Sequence, residues 1–178
     1  MAIVAFCCAT MASASVPVIS LSPAEAQPIV QTPSSDAPAI TLTVPRYSLS
    51  LEERELIASC LVLEAASQGE FGMRAVMAVI RNRARGLPEL FTTTVLREKQ
   101  FSALNRLTAG RDTVTRTVAR ARSDRMWSTA LELVVEATLP TWYDPTHGAT
   151  HYTRTGERTR WTRSLAQTTV IGRHAFYR

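Results

Sequence analysis

The pattern of hydrophobic and polar positions predicts a mainly helical domain with a small β element. From Leu56 to Leu63 apolar side chains follow one another with Ser59 as the one polar interruption, which is typical of a buried helix, and this helix is predicted over about residues 51–66. Ser50 and Glu53 form a capping-box pattern just before this run, so we expect the helix to begin there. Gly69 and Gly72 are expected to break it.

Weaker patterns predict the remaining elements. A second helix is expected over about residues 72–85, where apolar residues return at helical spacing and Gly86 and Pro88 follow. Further helices are predicted over residues 93–97, 113–122 and 124–138, and short strands over residues 151–154 and 170–176. The predicted fold class is therefore α+β, in a single folded domain.

The first 46 residues differ in composition from the rest. Residues 2–19 are uncharged and mostly apolar or small, and Ala24-Glu25-Ala26 fits a signal-peptidase site, so residues 1–26 are a predicted signal peptide. We expect export to the periplasm or cell envelope. Phe6 before Cys7 is too bulky for a lipid-attachment motif. Residues 27–46 are rich in Pro, Ser and Thr and are predicted to be a flexible tether, which leaves residues 47–178 as the domain.

The charge of the chain favours an anionic polymer as its partner. The formal net charge is +5, and removal of residues 1–26 takes away only the acidic Glu25. A basic exported protein suits a cell wall that carries carboxylates or teichoic acid. Arginines crowd residues 106–125, but no aromatic side chain lies between Phe101 and Trp127 and no groove-reading motif appears, so we expect no nucleic-acid partner.

Cysteine and hydropathy patterns narrow the class of protein further. Cys60 is the only cysteine after residue 26, so an intramolecular disulfide is not expected in the processed chain. Its apolar neighbours favour a small buried side chain over a nucleophile. No later stretch is long and apolar enough to span a bilayer, so no stable membrane insertion is expected after leader removal.

Glu64 is the first candidate for chemistry. It ends the apolar run of the first helix and precedes a turn that contains Gly69. Apolar surroundings favour the neutral form of a carboxyl, which a general acid requires. A glutamate at a helix end is most often solvated or a cap, so Glu64 gains its weight from the motifs that follow it.

Short motifs follow Glu64 in a fixed order. They are Glu64-Ala65, Gly72, Ala75-Val76, Asn82-Arg83, Gln100-Phe101-Ser102, Asp144-Pro145-Thr146, Gly148 to Tyr152, Trp161, Ile171-Gly172, His174 and Phe176-Tyr177. From about Leu51 to Arg178 the series resembles the SleB-like cell-wall hydrolase family, named for a spore-cortex-lytic enzyme. The resemblance implies a largely helical fold similar to lysozyme-like muramidases, and cleavage of peptidoglycan glycan strands by lytic transglycosylation. It places Glu64 at the family's essential glutamate, and we expect no cofactor.

One departure from the family pattern concerns a second acid. The family usually reads Glu-Ala-Arg-Gly-Glu, whereas this chain reads Glu64-Ala65-Ala66-Ser67-Gln68, so Gln68 stands at the second acid and Glu70 is a candidate substitute. Hydrolysing glycosidases normally need two carboxylates. A lytic transglycosylase needs one, which protonates the glycosidic oxygen and then accepts the proton of the muramic-acid 6-hydroxyl. Asp144 and Glu157 are further candidates for a second carboxylate, although Asp144 before Pro145 is typical of a turn.

The remaining motif residues are candidates for substrate binding or support. Substrate binding is predicted for Gln100, Ser102, Gly148, Ala149, Thr150, His151, Tyr152 and Trp161. Tyr152 offers an aromatic face with a polar tip, which suits sugars, while Trp161 fits either a sugar platform or packing. Asn82 fits either orientation of Glu64 or support of a loop carbonyl. His174 is expected to be packed rather than catalytic.

Two other functions fit the sequence. A zinc amidase that cuts the muramoyl-alanine bond needs two or three metal ligands, and His147, His151 and His174 are the only histidines. The first two are spaced by four residues, but in a stretch flanked by Gly and Pro that is not typical of a helix. A non-catalytic wall-binding module is the other alternative. Replacement of Glu64 separates these cases, because only an enzyme has lysis to lose.

Overall fold

The computed structural model describes residues 47–178, so the predicted signal peptide and tether lie outside the described residues. The helices of the described part are α1 (Leu51–Ala65), α2 (Gly69–Arg83), α3 (Phe91–Val95), α4 (Asn105–Thr108), α5 (Val114–Arg122) and α6 (Trp127–Glu136). The strands are β1 (His151–Arg154), β2 (Gln167–Ile171) and β3 (His174–Tyr177). This arrangement confirms the predicted mainly helical fold with a small β element.

Helix α1 is the element around which the other helices pack. The predicted capping box starts it: the Ser50 hydroxyl accepts the Glu53 backbone N–H at 3.2 Å, and the Glu53 carboxylate accepts the Ser50 N–H at 2.9 Å. The helix contacts α2, α3, α5 and α6. Its side chains from Leu56 to Val62 are all buried, Cys60 included, as the apolar run predicts. Each fully buried large apolar side chain contributes about 1.5–3 kcal/mol.

The junction between α1 and α2 differs from its prediction. The prediction placed a break at both Gly69 and Gly72, but a 3-10 turn (Ala66–Gln68) ends at Gly69 and α2 begins there. Gly72 lies buried inside α2, where a Cβ atom would stand 2.5 Å from the Cβ of Gln68. This glycine therefore permits a close approach within a helix and does not end one.

The sheet also differs from its prediction. Strand β1 has the predicted bounds, but the strand predicted over residues 170–176 is a hairpin of β2 and β3 that turns at Gly172. Gly172 adopts a φ of +56°, in the left-handed region that favours glycine. The strand order is β1-β3-β2 with both pairs antiparallel, and β1 pairs Arg154 with His174 across the sheet.

Helix α2 joins the helical core to the sheet. Its residues Met73, Val76, Met77 and Ile80 belong to the large core formed with α1 and the other helices. Its residues Ala75 and Val79 pack instead in a small cluster with Ala149, Ile171 and Phe176. The sheet is thus held against one side of α2. Among residues 47–178 no helix is both long and apolar enough to cross a bilayer.

Candidate active site

Glu64 lies in the last turn of α1, and three donors hold its carboxylate. Oε1 accepts hydrogen bonds from the Ser102 hydroxyl at 3.0 Å and the Ala103 backbone N–H at 2.7 Å. Oε2 accepts one from the Tyr152 hydroxyl at 3.0 Å. The donors come from the 3-10 turn Ser102–Leu104 before α4 and from strand β1, so the fold itself assembles this site.

The surroundings of Glu64 are polar, whereas the sequence led us to expect apolar ones. Oε1 accepts from the Ala103 backbone N–H, which can only donate, and from the Ser102 hydroxyl. Within residues 47–178 Oε2 has a single partner, the Tyr152 hydroxyl, which can accept as well as donate. A proton on Glu64 would therefore sit on Oε2. The arrangement fixes which oxygen can give and take a proton.

The Tyr152 hydroxyl is available as a donor to the ionised Glu64 carboxylate. Burial, and then the negative charge of Glu64, raise the pKa of the Tyr152 hydroxyl well above its usual range, so it keeps its proton. Its ring packs among Phe101, His174 and Phe176, at centroid distances of 6.4, 4.9 and 5.7 Å. These contacts fix the position of the phenolic oxygen.

A groove passes Glu64 on both sides. One part has a volume of about 840 Å³ and is lined by the loop of residues 99–102 and by residues 152–157. A second part of about 510 Å³ continues along Ser67 and Gln68 to the turn between β2 and β3. Both parts share Glu64 and His174. A groove open on both sides of the carboxylate fits an elongated ligand better than a small one.

Gln68 connects the turn after α1 to the hairpin. Its Oε1 accepts the Arg173 backbone N–H at 2.7 Å, and its Nε2 lies 3.1 Å from Nδ1 of His174. Burial is the main cause that lowers the pKa of His174, and the charges of Arg154 and Arg173 lower it further against the opposing effect of Glu64. His174 is buried, as predicted, but it also lines the groove.

Of the predicted substrate-binding residues, Gln100, Ser102 and Tyr152 line the groove. Asn82 lies behind it and holds the segment before β1: its Nδ2 donates to Asp144 at 2.9 Å and to the Ala149 carbonyl at 3.0 Å. Of the two roles that the sequence left open for Asn82, the structure places it in support of a loop carbonyl.

Asp144 organises the same segment as a turn residue. Its carboxylate accepts the Thr146 N–H and hydroxyl at 2.7 and 2.6 Å and the Gly148 N–H at 2.9 Å. Burial has the largest effect on the pKa of Asp144 and raises it, but the hydrogen bonds from Thr146, Asn82 and Gly148 together lower the pKa below its usual value. Gly148 and Ala149 thus belong to this turn and not to the groove lining.

Thr150, His151 and Trp161 also lie outside the groove lining. The Thr150 hydroxyl lies 2.9 Å from Nδ1 of His151, whose ring packs on Trp161 at a centroid distance of 5.3 Å. Burial and the charge of Arg83 lower the pKa of His151. Arg83 donates to the Thr150 carbonyl at 2.6 Å and stacks over Phe101 at 5.1 Å, so it ties both site loops to α2.

The candidates for a second carboxylate differ in their position relative to the groove. Glu70 is exposed, forms an ion pair with Arg74 at 3.3 Å and does not line the groove. Glu157 lines the groove with Glu64 and accepts a hydrogen bond from the Thr153 hydroxyl at 2.8 Å. Within residues 47–178 no group of three or more His, Cys, Asp or Glu side chains is placed to hold a metal ion.

Three contributors to the site escaped the sequence reasoning. The Ala103 N–H is a backbone group that almost any residue would supply, so no sequence signal marks it. Arg154 and Arg173 line the groove beside Glu64, but in a chain rich in arginine no sequence signal distinguishes them from the others. The spacing of Gly172 after a β-like run was a turn signal that could have placed Arg173 at a hairpin tip.

Comparisons with known proteins agree with this architecture. The model of the Hydrolase_2 family, described as Cell Wall Hydrolase, matches residues 67–177, a segment that begins just after Glu64. The chain is similar in fold to the catalytic domain of the germination-specific lytic transglycosylase SleB from Bacillus anthracis, with a TM-score of 0.55 and 22% identity over 74% of this chain and 98% of that one.

A second solved structure, the catalytic domain of the SleB protein of Bacillus cereus, matches at a TM-score of 0.44 and 22% identity, over 74% of this chain and 94% of that one. Among proteins of curated function, none matches the chain. The family match and the first structural match confirm the predicted family and fold.

Proposed function

Because the chain belongs to the cell wall hydrolase family, we propose that it degrades peptidoglycan by cutting the glycan backbone between N-acetylmuramic acid and N-acetylglucosamine. We propose a lytic transglycosylase reaction in which Glu64 acts first as acid and then as base. The observation that carries this proposal is the Glu64 carboxylate, which three donors orient inside a groove that continues on both sides of it.

The reaction balances with one carboxyl group and no water. Glu64 gives its proton to the glycosidic oxygen as the bond from C1 of the muramic acid breaks, so the glucosamine leaves as an alcohol. The 6-hydroxyl of the same muramic acid then attacks C1, and its proton passes to the Glu64 carboxylate. The product is a 1,6-anhydro sugar, and Glu64 is again protonated.

The donors around Glu64 suit both halves of this cycle. During bond cleavage the carboxyl becomes a carboxylate while positive charge develops on the sugar ring, and the three hydrogen bonds stabilise that negative charge. Since Oε2 is the oxygen free to carry the proton, both transfers occur on the Tyr152 side of the carboxylate. The rigid packing of Tyr152 keeps that geometry between the two steps.

Hydrolysis is the second candidate reaction, and Glu157 is the observation that favours it. Glu157 lines the same groove as Glu64 and is held by Thr153. A second carboxylate across a glycosidic bond can activate a water molecule or act as a nucleophile. In that case a reducing-end sugar would form and loss of Glu157 would abolish activity.

We also propose that the protein acts outside the cytoplasmic membrane, where peptidoglycan lies. The predicted signal peptide of residues 1–26 would direct export, and the tether of residues 27–46 would separate the catalytic domain from it. Fractionation of cells that express the full chain, followed by mass measurement of the processed form, tests this. A mature protein that begins at Gln27 in the envelope fraction is expected, and an unprocessed cytoplasmic protein would contradict it.

Mass spectrometry of muropeptides released from purified sacculi tests the reaction. The wild-type protein is expected to release anhydro-muropeptides, one water lighter than hydrolysis products. Glu64→Gln is expected to lower the release by about a hundredfold or more, the range for loss of a general acid. Glu70→Gln is the matched control, because it neutralises an exposed carboxylate outside the groove.

Other products would contradict the proposal in distinct ways. Reducing-end sugars that disappear with both Glu64→Gln and Glu157→Gln would assign hydrolysis with two carboxylates. Free peptides from intact glycan would assign an amidase. Undiminished release by Glu64→Gln would remove Glu64 from the chemistry, and no release by the wild type from any wall would leave a binding module.

A further inference from the structure

The orientation of the Gln68 side-chain amide determines where His174 carries its proton. The Arg173 backbone N–H lies 2.7 Å from one end of the amide, and an N–H group can only donate, so this end is the oxygen. The nitrogen end, which carries two hydrogens, therefore faces Nδ1 of His174 at 3.1 Å. Nδ1 must accept that hydrogen bond, and neutral His174 then carries its proton on Nε2.

The other ring nitrogen of His174 is open to the groove. His174 lines both parts of the groove that pass Glu64. Among the described residues Nε2 has no hydrogen-bond partner, and it does not belong to the buried side-chain atoms that lack one, which are Thr117 Oγ1, Trp142 Nε1 and Thr159 Oγ1. An accessible N–H beside the reacting carboxyl is available to a ligand.

The neighbours of His174 keep its ring neutral near pH 7. Burial lowers its pKa, and the guanidinium groups of Arg154 and Arg173 lower it further, while Glu64 acts in the opposite direction. The Tyr152 ring packs against it at a centroid distance of 4.9 Å and adds no charge, because its hydroxyl stays protonated. A neutral imidazole ring has one N–H proton, so only one of its two nitrogens can donate a hydrogen bond.

We propose that Gln68 is a positioning residue that fixes this form of His174, and that His174 presents its Nε2 proton to the groove beside Glu64 as a donor to an oxygen of the glycan. The acetamido carbonyl and the hydroxyls of an N-acetylated sugar are the acceptors that this donor fits. The inference rests on the proposed function, since it assigns a contact to the same substrate. His174 is thereby a substrate-binding residue in addition to a packed one.

Nitrogen-15 NMR of the purified protein labelled at its histidines tests the proton position. Wild-type His174 is expected to show an unprotonated Nδ1 and a protonated Nε2. In Gln68→Glu the carboxylate can only accept, so the proton is expected to move to Nδ1 or both nitrogens to be protonated. Ser67→Ala is the matched control, since it removes the Ser67 contact to Arg173 at 3.0 Å and leaves Gln68 in place. A protonated Nδ1 in the neutral wild-type ring, or an unchanged spectrum in Gln68→Glu, would overturn the assignment.

Kinetics on soluble glycan strands test the donor itself. Loss of one neutral hydrogen bond costs about 1 kcal/mol, so His174→Leu is expected to raise KM roughly fivefold and to lower kcat less. His174→Gln is expected to restore most of the affinity, because its amide nitrogen reaches close to the position of Nε2. If His174→Leu does not fold, KM is measured for Gln68→Glu and for the wild type above and below neutral pH. A higher KM of Gln68→Glu above neutral pH, where its His174 lacks the Nε2 proton, is expected, and equal KM values would refute the donor role.

The outcomes separate this inference from the proposed function. A wild-type KM in folded His174→Leu, with anhydro-muropeptides still released, would refute the donor role and leave glycan cleavage standing. A His174→Gln variant as impaired as His174→Leu would also refute it, because a packing defect explains both. Failure of the wild type to cut any wall would overturn the proposed function, and the donor role with it, whatever the NMR result.

Discussion

Replacement of Asn82 by Asp would place two carboxyl groups against each other behind the active site. Asn82 donates to Asp144 at 2.9 Å and to the Ala149 carbonyl at 3.0 Å, and an aspartate at this position has no hydrogen to give when it is ionised. The change is nearly isosteric, so it alters hydrogen bonding and charge and leaves packing almost intact. Asn82→Ala removes the same donor without the added charge and is the matched control.

The expected loss of stability follows from these contacts. A hydrogen bond to a charged group is worth about 1.5–3 kcal/mol and one to a carbonyl about 1 kcal/mol, so Asn82→Ala is expected to cost about 2–4 kcal/mol. Two charges about 4 Å apart repel by about 4 kcal/mol at the effective dielectric constant of a protein surface. Because Asp144 is only half-buried, solvent screens part of this, and we expect Asn82→Asp to cost about 1–2 kcal/mol more than Asn82→Ala near pH 7.

The pH dependence distinguishes repulsion from simple loss of a donor. In the wild type the pKa of Asp144 is lowered on folding, so its stabilising effect is present above the unfolded value and is lost only as the pH falls through the folded one. In Asn82→Asp the repulsion raises the folded pKa of one carboxyl of the pair above its unfolded value. That variant should therefore gain stability relative to Asn82→Ala as the pH falls from about 7 to about 5.

Urea unfolding followed by circular dichroism at both pH values measures these differences. The expected result is a gap between the two variants near pH 7 that is smaller near pH 5. Equal free energies of unfolding for Asn82→Asp and Asn82→Ala at both pH values would refute the reasoning, because no repulsion would then exist. Muropeptide release should fall in both variants, since the segment that Asn82 holds leads into strand β1.

Tyr152→Phe keeps the ring packing and removes one donor to the Glu64 carboxylate, so turnover is expected to fall about tenfold or more while the melting temperature changes little; wild-type turnover in the muropeptide assay would contradict this. Gly172→Ala forces a Cβ into the side-chain oxygen of Gln68, so it should destabilise the protein more than Gly110→Ala, which has a similar positive φ and open space around it; thermal unfolding compares them. Leu61→Ala empties a fully buried position of α1 and should cost about 2–5 kcal/mol in urea unfolding.

Elements with local sequence signals were predictable. The start of α1 followed from Ser50 and Glu53, whose side chains satisfy backbone groups within three residues of one another. The bounds of β1 followed from alternation over four residues. In both cases the contacts that decide the structure lie close together in the sequence. The hairpin of β2 and β3 was missed because one strand was predicted across Gly172 and Arg173, although Gly172 marks the turn.

The sequence pointed to the site only where a motif did. The motifs pointed to Glu64, but the three donors to its carboxylate lie 38, 39 and 88 residues away in the chain, and one of them is a backbone group. Residues 148–151 were expected to bind substrate because they are small or polar, yet they serve the turn built on Asp144 and the packing behind the groove. The residue types alone do not show which side of a short strand or loop faces the ligand.

Glu70 and Gln68 illustrate the same limit over a shorter distance. Spacing from Glu64 suggested that Glu70 could stand in for a missing acid, but that argument assumed a simple turn. The 3-10 turn at Ala66–Gln68 directs Gln68 to the hairpin and leaves Glu70 on the exposed side of α2. The partner of Gln68 is 106 residues away, beyond the reach of any local pattern.

The attachment of the sheet through a small cluster implies that the protein opens in two stages. In the described part of the chain only five buried side chains form the cluster that fastens β2 and β3 to α2, namely Ala75, Val79, Ala149, Ile171 and Phe176, whereas the helices share a far larger core. Segments with few buried contacts detach first under native conditions. Amide hydrogens of the strands should therefore exchange with solvent sooner than those of α1. Activity would be lost at denaturant concentrations that still leave the helices folded, because Tyr152 and His174 lie on the strands that detach.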